Sequence, residues 1–145
     1  MAHYTIASKK GLKDYARQYA SRLKPGDVVG FVGELGAGKT TLVQYIGEYC
    51  GVKQLMRSPT FMYIKEYYMR NGSSFVHCDA YRLTNSADVR SIGLDDYIGS
   101  KRSIVCIEWA DKIRDVLPCA TQWVTLTRIG GLKRKIEDDR KEHSG

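Results

Sequence analysis

The residues Gly33-Glu34-Leu35-Gly36-Ala37-Gly38-Lys39-Thr40 have the types and spacing that let bare backbone amides hold a polyphosphate. Gly33, Gly36 and Gly38 carry no Cβ and can take positive φ, so successive N–H groups can turn inward and approach phosphate oxygens closely. The next residues open a helix, whose N-terminus adds unpaired donors and a partial positive charge. Lys39 then supplies a full charge for the β- and γ-phosphates, and the Thr40 hydroxyl is placed to ligate magnesium.

Such a loop works only between a buried strand and an amphipathic helix. Residues 27–32, Asp-Val-Val-Gly-Phe-Val, form a short apolar, β-branched run bounded by the turn signal Pro25-Gly26, as expected of a strand covered on both faces. After the loop, Leu42, Val43, Tyr45, Ile46 and Tyr49 recur at helical spacing, with Gly51 as the C-cap. A chance match to the loop pattern in a glycine-rich turn occurs in roughly 0.5% of chains of this length, on average residue frequencies.

Two further strands finish on acids. Phe75-Val76-His77-Cys78 closes on Asp79, and Ser103-Ile104-Val105-Cys106-Ile107 closes on Glu108, followed by Trp109. A lone carboxylate at the end of a buried strand needs a cation or several donors, and magnesium meets that need. Glu108 is favoured for the ion and Asp79 for orienting water or the ion's inner water shell, with the two roles exchangeable. Asp79-Ala80-Tyr81-Arg82 gathers a carboxylate, a phenol and a guanidinium, which either serve the site or are packing and a surface ion pair. His77 reads as half-buried and structural, and Trp109 as an aromatic wall or core filler. In Arg57-Ser58-Pro59-Thr60-Phe61, Pro59 fixes an ordered loop, and the Thr60 hydroxyl is either a γ-phosphate sensor or part of an ordinary Ser/Thr turn.

The remaining elements frame these. Leu12, Tyr15, Ala16, Tyr19 and Leu23 predict an amphipathic helix from Ser8, its candidate cap, to Lys24-Pro25-Gly26; it either neighbours a nucleotide base or simply packs. Asn71-Gly72 between two apolar runs predicts an antiparallel hairpin in an otherwise parallel sheet. Thr84-Asn85-Ser86 opens a short helix stopped by Gly93, residues 94–98 add a turn, and 111–117 read as helical until Pro118. Residues 122–128 alternate as a strand, Gly130-Gly131 turns the chain into a last strand from Leu132, and disorder is expected from about Glu137.

At 145 residues, 43% hydrophobic and 27% charged, the chain has the composition of one soluble globular domain. No apolar run approaches the roughly 18 residues of a membrane span, and the first ten residues lack a signal peptide's apolar segment, so a cytoplasmic location is expected. Cys50, Cys78, Cys106 and Cys119 show no metal-site spacing and read as reduced, structural thiols. The net charge of +7 favours an anionic partner, yet Lys133, Arg134, Lys135, Arg140 and Lys141 crowd the last segment, where a solvated tail competes with RNA contact. The domain is expected to occupy residues 1–136 and the basic tail 137–145.

Four pieces in this order, GELGAGKTT at 33–41, SPTF at 58–61, HCDAYRL at 77–83 and IEWADKI at 107–113, closely resemble the bacterial TsaE family, small ATPases of tRNA threonylcarbamoyladenosine biosynthesis. The resemblance covers residues 8–128. It implies a three-layer α/β/α phosphate-loop fold with a mixed, mainly parallel central sheet. It also implies Mg²⁺-dependent ATP binding and hydrolysis in support of a TsaB–TsaD complex, with TsaD transferring the threonylcarbamoyl group to adenosine 37 of tRNAs reading ANN codons. By match of motif, Leu35, Gly36, Ala37, Gly38, Lys39, Thr40 and Thr41 hold the triphosphate, Thr40 and Glu108 ligate magnesium, and Thr60 and Asp79 are the switch-like and acidic residues. Any contact with tRNA is expected to be indirect, and no membrane is involved. Glu34 stands where many relatives have Asp, and the tail matches no family motif. The rival readings are a small-molecule kinase, using residues 79–82 for an acceptor hydroxyl, and a basic RNA-binding module.

Overall fold

Strands and helices alternate through the computed structural model, which describes residues 1–59 and 63–139. In chain order they are β1 (Ala2–Ile6), α1 (Lys9–Ala20), β2 (Val28–Val32), α2 (Lys39–Tyr49), β3 (Ile64–Tyr68), β4 (Ser74–Asp79), α3 (Ser86–Ser91), α4 (Leu94–Ile98), β5 (Ser103–Glu108), β6 (Gln122–Gly130) and β7 (Lys133–Asp138), with a 3₁₀ segment at Ala110–Val116.

The strands form one sheet in the order β1-β7-β6-β2-β5-β4-β3. The central four, β6, β2, β5 and β4, run parallel to one another, and β3 and β7 are antiparallel to their neighbours. Strand β1, antiparallel to β7, runs in the common direction, so the sheet is mixed but mainly parallel. β5 is buried throughout and β2 nearly so, the condition under which a strand reads as a continuous apolar run.

Two apolar layers cover the sheet. On one face α1 contributes Leu12, Tyr15, Ala16 and Tyr19, and α2 contributes Leu42, Val43 and Ile46, packed on Phe31, Phe75, Ile104 and Leu126. Each fully buried leucine, valine, isoleucine or phenylalanine here contributes roughly 1.5–3 kcal/mol. On the other face Val89 of α3, Leu94 of α4 and Ile113 of the 3₁₀ segment meet Val28, Val76, Val105 and Ile107. This is the expected α/β/α sandwich.

Local chemistry sets the boundaries. Ser8 caps α1 as predicted, its Oγ accepting the Gly11 N–H at 3.0 Å. The helix stops at Ala20, short of the expected end, and a tight turn carries residues 21–24 to Pro25, before which helical backbone is disfavoured. The Asn71-Gly72 hairpin pairs β3 with β4, Gly72 taking φ 85°. Residues 110–116 form a kinked 3₁₀ segment in place of the expected helix; it is entered from Trp109 at φ 57° and broken at Ile113.

Two differences lie at the chain ends. β1 is an unexpected edge strand, with only Tyr4 and Ile6 as apolar signal and a partner more than a hundred residues away. The last strand also passes the boundary expected at residue 137: Asp138 is buried and accepts the Tyr15 hydroxyl at 2.6 Å. A side chain in α1 thus fastens the end of β7.

Candidate phosphate and metal site

The glycine-rich loop leaves the C-terminal end of β2 and enters α2, with the C-terminal ends of β5 and β4 alongside. Open parallel sheets bind ligands at this place. Gly36 and Gly38 take φ 82° and 101° as the loop requires. Gly33 differs from the expectation: its φ is not positive, and it is needed for space, because a Cβ there would stand 2.6 Å from the Leu126 carbonyl oxygen. The loop therefore lies directly on β6.

Lys39, the first residue of α2, is buried and donates to the carbonyl oxygens of Gly33 and of Glu34, the latter at 3.0 Å. Its ammonium lies 4.0 Å from the Trp109 ring centroid, a cation–π contact that gives Trp109 a place at the site. Burial lowers the Lys39 pKa, and Glu108, Asp111, Asp79 and Glu34 oppose that shift. An ammonium has three N–H groups, so one remains for a phosphate oxygen while two brace the loop.

Thr40 Oγ1 donates to Glu108 Oε1 at 2.7 Å. Parallel pairing aligns Phe31, Glu108 and Asp79 across β2, β5 and β4, which brings both acids to one end of the sheet. Their surroundings differ. Glu108 is 4% exposed and engaged by side chains, whereas Asp79 is half-buried and accepts the backbone N–H of Tyr81 at 2.9 Å. Glu108 thus stands beside the helix hydroxyl, and Asp79 sits at the cleft wall.

The cleft has a volume of about 770 Å³ and is lined by the loop, Thr40, Thr41, Ser58, Asp79, Glu108 and Trp109, among others. That volume lies in the range of small-molecule sites. Among the described residues no three His, Cys, Asp or Glu side chains converge as a metal cage. The donor set is one carboxylate and one hydroxyl next to a phosphate cradle. It suits magnesium, which keeps several waters and takes its other ligands from substrate phosphates. ATP and Mg²⁺ therefore fit the residues present. Thr60 lies outside the described residues.

Sequence reasoning missed two side chains. His77, expected to be half-buried and structural, is fully buried and its Nε2 meets Glu108 Oε2 at 2.5 Å. Arg134, expected in the last strand and counted among the basic residues weighed between solvation and RNA contact, is half-buried in β7, lines the cleft and donates from Nε to the Ala37 carbonyl at 2.7 Å. Strand alternation carries the face each side chain shares and not the partner it meets. His77 shares the face of Phe75, and Arg134 that of Ile136. Tyr81 and Arg82 line the cleft rim, and the Tyr81 ring meets Trp109 edge-on at 4.9 Å between centroids.

Comparison with known proteins finds relatives over most of the chain. The family model "Threonylcarbamoyl adenosine biosynthesis protein TsaE" matches residues 6–136. Relatives described as tRNA threonylcarbamoyladenosine biosynthesis protein TsaE include one from Bacillus subtilis, 36% identical over 86% of this chain and 76% of its own length. Another, from Rickettsia bellii, is 32% identical over 89% of this chain and 88% of its own. A solved structure, the crystal structure of Bacillus subtilis YdiB, superposes with a TM-score of 0.75 at 31% identity, covering 94% of this chain and 83% of that one.

Proposed function

From the premise that this chain belongs to the TsaE family, and so to tRNA threonylcarbamoyladenosine biosynthesis, we propose that it is a Mg²⁺-dependent ATPase serving that modification. The observation that carries this reading is the Thr40–Glu108 pair, 2.7 Å apart at the mouth of a glycine cradle. With Mg²⁺ and ATP bound, the loop amides and Lys39 would hold the β- and γ-phosphates, and Thr40 and Glu108 would hold the ion. Bound magnesium supplies charge neutralisation on the triphosphate. Asp79 orients water from the neighbouring strand end. Phosphoryl transfer to water asks mainly for positioning and charge balance. The cleft's lining is consistent with both, and its described residues include no strong base, which supports slow turnover by the chain alone. It acts on a TsaB–TsaD complex, which performs the group transfer, and hydrolysis resets that complex.

Reconstituted tRNA modification with TsaB, TsaD and the threonylcarbamoyl-adenylate donor tests the whole reading: omitting this chain should stop or sharply slow modification. An isolated chain hydrolysing ATP at full speed, indifferent to TsaB–TsaD, would count against the resetting role. Label from γ-phosphate should appear on water; its appearance on an added nucleoside would favour a kinase. Lys39→Ala should weaken ATP binding by roughly 10–100-fold in calorimetry, the worth of a charge-assisted hydrogen bond. Glu108→Ala should chiefly raise the magnesium requirement, and a normal magnesium titration would transfer the ligand role to Asp79.

A further inference from the structure

Glu108 has both carboxylate oxygens engaged within the fold: Oε1 takes the Thr40 hydroxyl, and Oε2 meets His77 Nε2. An ionised carboxylate only accepts hydrogen bonds, so Nε2 carries the proton in that contact. The other ring nitrogen, Nδ1, is buried and has no partner among the described residues. In the neutral Nε2–H tautomer it is a bare acceptor, a cheaper orphan than a buried N–H. A side chain that merely filled this space would do better as an apolar residue of similar volume, which would leave no orphan at all. The fold tolerates the orphan and keeps the contact with Glu108.

We propose that His77 is a positioning residue for the magnesium-binding carboxylate, fixing Oε2 of Glu108 so that Oε1 alone faces the ion beside Thr40. This rests on the reading of Thr40 and Glu108 as the ion's protein ligands. Magnesium demands near-ideal octahedral geometry, and a carboxylate free to rotate in its pocket would offer two oxygens in competing poses. The fixing bond comes from β4, the strand that also ends in Asp79. One strand therefore sets the posture of both acids.

The test is Mn²⁺ binding to the full-length chain with a non-hydrolysable ATP analogue, followed by electron paramagnetic resonance. His77→Leu should weaken Mn²⁺ binding by roughly 10–100-fold, the usual loss when a ligand's supporting partner is removed. Analogue affinity in EDTA should stay at the wild-type value. His77→Gln, whose amide N–H reaches the same oxygen, should recover most of the Mn²⁺ affinity, and the shorter His77→Asn should not. Mn²⁺ affinity in His77→Leu within about twofold of wild type, or His77→Gln no better than His77→Asn, would overturn the proposal. The Gln–Asn comparison still decides if the Leu variant fails to fold. Failure of the wild-type chain to bind Mn²⁺ with the analogue would instead remove the magnesium site itself, and the proposal with it.

Discussion

At the scale of single residues, the site divides into side chains that neighbours in sequence define and side chains that only register defines. Lys39 and Thr40 were legible because the loop's chemistry is contained in one stretch, and Glu108 because an acid ending a buried strand is conspicuous. Arg134 was not: it reaches the Ala37 carbonyl across 97 residues, and its position among Lys133 and Lys135 disguised it as part of a charged surface. Its guanidinium also packs on the loop, since a Cβ on Gly38 would meet Arg134 Nε at 3.0 Å. Arg134→Leu removes a charged donor from a loop carbonyl, an interaction worth about 1.5–3 kcal/mol. The expected result is a roughly tenfold loss of ATP affinity on the same basis, measured by calorimetry, with the fold intact by circular dichroism. Unchanged affinity would return Arg134 to the role of a surface cation.

At the scale of elements, the loop is held between β6 beneath it and α2 after it. Gly33 is where that spacing is tightest. Gly33→Ala places a methyl group 2.6 Å from a backbone oxygen of β6, which cannot rotate away as a side-chain end could. Forcing such a contact costs about 1–3 kcal/mol and displaces the loop. Both the thermal midpoint and ATP affinity should fall together, whereas a drop in stability with normal binding would show that the strand yields and the loop does not. The strands and helices around the loop were readable because apolar runs, Asn71-Gly72 and the Ser8 cap are local signals. The 3₁₀ geometry of residues 110–116 was hidden, because it depends on the positive φ of Trp109 and on packing across β2. There a Cβ on Gly30 would stand 2.9 Å from Ala110, so the two backbones come together only over a glycine.

For the whole molecule, no helix among the described residues is long and apolar enough to cross a membrane. Its thiols carry a pH signature. Burial pushes the Cys50 thiol up from the ordinary 9.0 to about 12, and raises Cys78 and Cys106 also. Between those values the unfolded chain releases thiol protons that the folded chain keeps, so the folded state binds more protons and stability falls as pH rises. Urea midpoints should hold up to about pH 9, given the ordinary thiol value, and decline above it. Cys106→Ala should flatten that decline, and an equally steep fall in the variant would assign it to other groups. The sheet order has a temporal consequence as well. β1 precedes the other described strands along the chain, and its neighbour in the sheet among the described residues is β7, which follows them all and carries the arginine that braces the loop. A nascent chain halted before residue 133 would carry the nucleotide motif in full and still leave its opening strand without a mate. The brace on the glycine loop is then complete only once β7 has been made and has closed on β1 and β6.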